Sequence, residues 1–285
     1  MLTKNISTAK LGFVAVAMLL LASCQKMNHP ALGDYVQDSN PPGGPLNFYA
    51  AFDGSTSSAS MNAVDSIRAT FPADNPLTSV DGISGKAIKG ENKKFLKYSK
   101  PNDWAIKAKS FTVSFWIKRD GQTKNNAGTN GPEYPISFKA SNNHWSGANF
   151  FILIEGNNTA AAIKMMIADK NLADNWLTWE GGMAIGGLLD NQWHHIAITY
   201  DAGTSGATLF VDGVPNPNVR TWPGHGDINI DNSVISEVRI GAGPGTNYDT
   251  DDWLSSTWKG SLDQFRMYSA ALTASEVSAL FTGKK

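Results

Sequence analysis

The 285 residues carry 24 Lys and Arg against 25 Asp and Glu, a formal charge of −1, and that balance excludes the basic face that nucleic-acid binding requires. The single cysteine excludes an intrachain disulfide, so a folded domain here must be held together by its core. No repeat of solenoid or propeller period and no heptad pattern is present.

The chain opens as an export signal, with Lys4 and Lys10 ahead of the apolar run Leu11–Leu21, which is too short to span a bilayer. Leu21-Ala22-Ser23-Cys24 follows directly and is similar to a bacterial lipobox. That resemblance implies that residues 1–23 are a lipoprotein signal peptide and that Cys24 becomes a lipidated N-terminus. Gln25 after the cysteine implies the outer membrane, and the periplasmic or surface face stays open. Removing residues 1–23 takes away Lys4 and Lys10, leaving 22 basic against 25 acidic side chains in 262 residues. Residues 24–45, with Pro30, Pro41, Pro42, Pro45, Gly43 and Gly44 and few apolar side chains, read as a flexible tether.

The folded domain is expected over residues 46–285. Asn47–Phe52 alternates and ends at the turn Asp53-Gly54. Gly85–Ile88 and Phe95–Tyr98 read as short strands. Phe111–Lys118 puts Phe111, Val113, Phe115 and Ile117 on one face and Thr112, Ser114, Trp116 and Lys118 on the other. Asp120–Pro135, rich in Gly and Asn, reads as a loop. Phe150–Glu155 and Ala162–Asp169 are apolar strands joined through Gly156-Asn157-Asn158, and Gly181–Gly187 reads as irregular. Trp193–Gly213 is a hairpin: Ile196 and Ile198 alternate in one arm, Leu209 and Val211 in the other, with a Gly/Ser/Thr loop between. Val238–Gly241 and Gly260–Tyr268 are the last strands. Thr273 with Glu276 three residues on forms a capping box, and Leu272, Val277 and Leu280 make the stripe of one short helix packed at a sandwich edge.

Phe52-Asp53-Gly54, the Phe111–Ile117 stretch, the Trp193–Gly213 hairpin and Gly260–Tyr268 together resemble the laminin-G-like, concanavalin A-type jelly rolls, over roughly Leu46 to Phe281. The resemblance implies an all-β, two-sheet antiparallel jelly-roll sandwich with one short C-terminal helix. It further implies a non-catalytic, carbohydrate-binding lipoprotein of the cell envelope, with polysaccharide or oligosaccharide as ligand and partner proteins of a glycan-uptake complex. Many such domains hold Ca2+ at the sandwich rim. By resemblance its candidate ligands here are acidic rim-loop residues such as Asp249 and Asp251, and separately Asp53 with Asp263, since the family's first and last strands often neighbour each other. Asp263 equally fits a side chain hydrogen-bonded to a nearby loop, and the Asp249–Asp252 cluster equally fits solvated negative charge.

Glycosidases and lyases share this fold, so carboxylates must be weighed. A glycosidic bond is normally broken by two of them about 5–9.5 Å apart. Glu91, Glu133, Glu155, Glu180, Glu237 and Glu276 are scattered, and none has Asp two residues later. His194 and His195 point to opposite faces of a strand and cannot share one metal ion, which leaves one ring in the sandwich and one on a surface hydrogen bond. Asp227-Ile-Asn229-Ile-Asp231 mimics the start of an EF-hand loop, but Asn232 stands where the sharp turn wants Gly and Val238 where Glu belongs, so it reads as a polar-alternating segment.

Tryptophan usage is the positive signal. Trp116, Trp193 and Trp258 fall within strands and read as packing. Trp145, Trp176, Trp179, Trp222 and Trp253 lie in or beside loops, and Tyr248 stands among the acidic residues there. Sugars present apolar C–H faces ringed by hydroxyls, so flat rings beside amides and carboxylates suit them. These six aromatics are the candidate ligand-binding residues. The alternative is a protein-binding or adhesion module, which would show a contiguous exposed apolar patch.

Overall fold

The computed structural model describes residues 44–72, 77–100, 104–125, 128–142, 147–170, 174–246 and 253–284. Cys24 and its tether, Trp145, Tyr248, Asp249 and Asp251 lie outside the described residues. In chain order the elements are β1 (Leu46–Ala50), β2 (Thr78–Asp81), β3 (Lys86–Lys89), β4 (Leu96–Tyr98), a one-turn helix α1 (Trp104–Lys107), β5 (Phe111–Asp120), β6 (Glu133–Ala140), β7 (Ala148–Gly156), β8 (Ala161–Ile167) and β9 (Asn175–Trp179). They continue with β10 (Asp190–Asp201), β11 (Gly206–Val211), β12 (Val214–Pro215), β13 (Arg220–Thr221), β14 (Ile235–Ile240), β15 (Ser261–Tyr268) and helix α2 (Ala274–Gly283).

Two antiparallel sheets result. The larger has nine strands in the order β12-β11-β10-β5-β15-β3-β2, with β1 also on β15 and β13 also on β11; the smaller runs β4-β14-β6-β7-β8-β9. The alternation in β5 does what its period dictates: Phe111, Val113, Phe115 and Ile117 enter the core between the sheets, while Ser114 and Trp116 lie on the outer face. Rings from the two sheets meet edge to face, Phe111 against Phe150 at 5.9 Å and Phe48 against Tyr98 at 5.0 Å. Trp104, from α1, sits among Phe111, Phe138 and Phe150 with centroids 5.3–5.7 Å away and no exposed surface. Burying each such ring contributes about 1.5–3 kcal/mol.

The expected hairpin pairs Ile196 with Val211 through Asp201 with Gly206. Asp212 and Gly213 both have positive φ, 51° and 75°, the two-residue turn that matches strand twist and returns β11 into β12. Helix α2 has the full capping box, Thr273 accepting from the Glu276 N–H and Glu276 from the Thr273 N–H. It packs at the β12 edge of the large sheet, with Phe281 against Gly213, and reaches over the outer face: Leu272 and Val277 pack on Ala197 and Phe210, and Phe281 stacks on Trp116 at 5.6 Å. The expected loop Asp120–Pro135 is shorter than composition suggested, because β6 begins at Glu133, and both Glu133 and Tyr134 are fully buried. An acidic residue is tolerated there because Arg119 clamps it with two bonds, at 3.1 and 3.0 Å.

Candidate functional site

Strand β15 changes its edge partner midway: Ser261 and Leu262 pair with β3, and the residues from Phe265 onward pair with β1. The change coincides with a bulge against β5, where two residues, Gln264 and Phe265, fall between the Asp263–Trp116 and Arg266–Ser114 pairs. Gln264 takes φ 46° there, and the extra residue lets Asp263 and Arg266 both face outward while Phe265 enters the core. Into the gap between β1 and β3 come Asp53, just past β1, and the turn Gly82–Gly85.

Asp263 has no exposed surface. Its Oδ2 accepts from the Ile83 N–H at 2.8 Å, whereas its buried Oδ1 has no hydrogen-bond partner. Burial, reinforced by the negative charge of Asp53, raises its pKa from 3.8 to about 7, against the pull of the main-chain N–H groups of Ile83, Gln264 and Ser84. Asp53 Oδ1 accepts from the Lys86 N–H at 3.0 Å. The glycines are required here: a Cβ at Gly82 would collide with Asp263 Oδ2, and one at Gly85, which has φ 65°, with Asp53 Oδ1. An orphaned buried carboxylate oxygen beside a second carboxylate is hard-oxygen chemistry that suits Ca2+. Among the described residues no third Asp, Glu, His or Cys joins them, so further ligands would be main-chain carbonyls or water.

The predicted aromatic residues part company. Trp253 stands on a 3-10 turn, Trp253–Ser255, and at 39% is the most exposed tryptophan among the described residues. That turn is braced by main-chain bonds from Gly243 N–H to Ser256 O and Gly245 N–H to Leu254 O, and side chains at either glycine would strike Leu254 or Ser255. Trp176 is half-buried on the outer face of the small sheet, edge-on to Phe151 at 5.2 Å, with Tyr134 against the other side of Phe151. Trp222 is half-buried and lies flat on His225 at 3.7 Å. Trp179 is a correction: three residues from Trp176 it faces inward, has no exposed surface, and donates its indole N–H to Asn218 O at 2.7 Å. It packs the core and cannot stack on a ligand. Trp116 and Trp258 are buried as expected, whereas Trp193 keeps part of its surface.

Several carboxylates among the described residues are committed to other partners. Glu155 and Glu180, brought to one face by the β7-β8-β9 register, both bind the Lys164 ammonium, at 2.6 and 2.8 Å. The bond to Lys164 holds Glu180 below its ordinary pKa, the reverse of what a general acid needs. Glu133 is sealed under Arg119, and Asp263 is inaccessible to a glycosidic oxygen. The two histidines separate as expected, though the buried ring lies under α2 rather than between the sheets. His195 bonds Ser114 Oγ at 2.8 Å, tilts against Trp116, and burial lowers its pKa to about 4. His194 is held by Asp212 and Asp190 at 2.8 and 3.0 Å, and the bond to Asp212 raises its pKa. Asp227 pairs with Lys109 and Asp231 with Ser233, which accounts for the EF-hand-like segment as a polar connector.

Two stacked antiparallel sheets, a capped terminal helix and an acidic notch beside the first and last strands define a lectin-like jelly roll. The chain belongs to the concanavalin A-like lectin/glucanases superfamily, whose family description matches residues 96–278. No curated protein sequence matches the chain. Among solved structures it is similar to domain 4 of an extracellular GH43 arabinanase from Geobacillus stearothermophilus, in complex with arabinotriose, at 18% identity and a TM-score of 0.55, covering 82% of this chain and 97% of that one. It is also similar to the botulinum neurotoxin serotype G binding domain (16% identity, TM-score 0.55, 84% and 51% covered). A third similar structure is the botulinum neurotoxin DC binding domain in complex with rat synaptotagmin II (10% identity, TM-score 0.56, 85% and 52% covered). The chain thus spans about half the length of the two toxin domains. At these identities the likeness is one of fold, and the fold serves catalytic and purely binding proteins alike.

Proposed function

We propose that this domain is a non-catalytic carbohydrate-binding module, displayed from the cell envelope through lipidated Cys24. The observation that carries the reading is Trp253: an indole side chain 39% exposed on a turn whose position is dictated by two glycines, in a domain where Glu155 and Glu180, the two glutamates brought to one face, are both bound to Lys164. An indole of this kind stacks on the C–H face of a sugar ring and needs no chemistry from its neighbours. Arabinotriose in the similar arabinanase domain supports the ligand class. The botulinum complex with synaptotagmin is the precedent for a protein ligand, but the other large exposed apolar residues among the described ones, Val64, Ile106, Val214 and Val219, are scattered singly along the chain. That scatter favours sugar over a protein interface.

On the same reading Asp53 and Asp263 hold a calcium ion that locks β1, β15 and the Gly82–Gly85 turn together. Titration of the purified domain against neutral polysaccharides, with intrinsic tryptophan fluorescence and heat as readouts, is the test. Saturable binding lost in Trp253→Ala, with no reducing sugar released, is expected; released reducing sugar would overturn the binding-only reading. For the anchor, wild-type protein should partition to membranes and incorporate labelled palmitate, and Cys24→Ala should do neither.

A further inference from the structure

The outer face of the large sheet holds a cleft of about 440 Å³ where β2, β3, β5 and β15 meet. Its floor is Gly260 and Ser261, and the register sets Ser261 opposite Lys89 on one side and Lys118 on the other. Residues directly opposite in a sheet share a face, and neighbouring strands lie about 4.8 Å apart. Lys89 and Lys118 therefore stand about 10 Å apart across a small hydroxyl, a gap two lysine side chains close onto one oxyanion.

The charge balance of the cleft favours an anion. Lys89, Lys118, Arg119 and Lys259 line it against Asp81 and Asp120. Asp81 is already paired with Lys86 at 2.7 Å, and Arg119 is held by Glu133. Neither Lys89 nor Lys118 has a salt bridge among the described residues; Glu91, the carboxylate that feels the charge of Lys89, is itself bound to Lys94 at 2.7 Å. Lys259 donates to the carbonyls of Lys124 and Thr257 at 2.9 and 2.7 Å, and burial lowers its pKa to about 8, so an anion nearby would stabilise its charged form. Continuing along the same row, Trp193 is the cross-strand neighbour of Lys118 and is half-buried, with part of its surface open. A hydroxyl, two cations and a flat ring in one row match a sugar that carries a charge.

We propose that this cleft is a second glycan site, taking an anionic sugar residue whose carboxylate or sulfate sits between Lys89 and Lys118 over Ser261, with its ring against Trp193. The inference rests on the carbohydrate reading but on different residues from Trp253. Affinity electrophoresis in polygalacturonate, dextran sulfate and uncharged dextran separates the sources of the anion. The wild-type domain should be retarded by at least one of the two charged polymers, the retarding one naming the group, and the Lys89→Gln/Lys118→Gln variant should lose roughly tenfold in affinity per lysine removed. The control Lys100→Gln/Lys284→Gln, with the same change in net charge, should bind as wild type. Lys89 is exposed and Lys118 half-buried, and unchanged melting temperatures will show that the variants fold. Failure of both charged polymers to bind, or equal loss in the control variant, would overturn the cleft proposal and leave the Trp253 reading untouched. Conversely, charged-polymer binding that depends on Lys89 and Lys118, in a protein that ignores every neutral glycan, would uphold the cleft and overturn the Trp253 reading.

Discussion

Replacing Asp263 by Asn removes one buried negative charge while leaving an amide oxygen to accept the Ile83 N–H. In calcium-free buffer the folded protein holds the Asp263 proton until about pH 7, whereas the unfolded chain releases it near 3.8. The folded state therefore binds more protons across that window, and stability is fully present below pH 3.8 and is lost as pH rises through 7. A displacement from 3.8 to about 7 corresponds to about 4 kcal/mol as an upper bound, part of it recovered by local relaxation. Urea unfolding of wild type and Asp263→Asn between pH 5 and 8, with a chelator present, is the assay. The variant should be the more stable by a margin that widens with pH, toward a few kcal/mol at pH 8. Calcium should reverse the order, adding about 2.7 kcal/mol to wild type at a hundredfold excess over its Kd and nothing to the variant. Parallel pH profiles in the absence of calcium would refute the reasoning, because they would mean that the buried oxygen carries no uncompensated charge.

Three further outcomes follow from packing and charge. Glu133→Gln leaves Arg119 buried without its counter-ion, a loss of about 3–5 kcal/mol by urea denaturation, while glycan binding by the folded fraction is unchanged. His195 behaves oppositely to Asp263: its folded pKa of about 4 lies below the ordinary 6.5, so its contribution is complete above pH 6.5 and is lost as pH falls through 4, which histidine titration by NMR will follow directly. Phe281→Ala uncovers Trp116 and His195, lowering stability by about 2–4 kcal/mol and moving the His195 pKa back toward 6.5.

Much of the scaffold was readable in the chain itself because its signals are local. The period-2 alternation in Phe111–Lys118, the turn pair Asp212-Gly213 and the Thr273/Glu276 capping box each depend on residues within a few positions, and each forms as read. Trp104 was not legible: its single helical turn has no periodic pattern, and only the rings of three distant strands show that it is central. How far α2 reaches over the sheet's outer face was hidden for the same reason, since Ala197 and Phe210 become its partners only once β10 and β11 pair. Trp179 misled because loop-like surroundings say nothing about which way an edge-strand residue points. Pairing Asp53 with Asp263 came from family resemblance, and the physical cause, the bulge at Gln264 and the change of partner along β15, depends on registry that no local pattern encodes. The row Lys89, Ser261, Lys118 and the shared Lys164 between Glu155 and Glu180 were invisible on the same ground.

The central claim, that this jelly roll holds sugar on an open ring and breaks nothing, is tested most directly by titrating the wild-type domain and Trp253→Ala against arabino-oligosaccharides and neutral polysaccharides while assaying the same samples for reducing ends. The account predicts a saturable fluorescence change in wild type, its disappearance in Trp253→Ala at an unchanged melting temperature, and no new reducing ends in either sample. Equal binding by the two proteins, or sugar released by wild type, would contradict it.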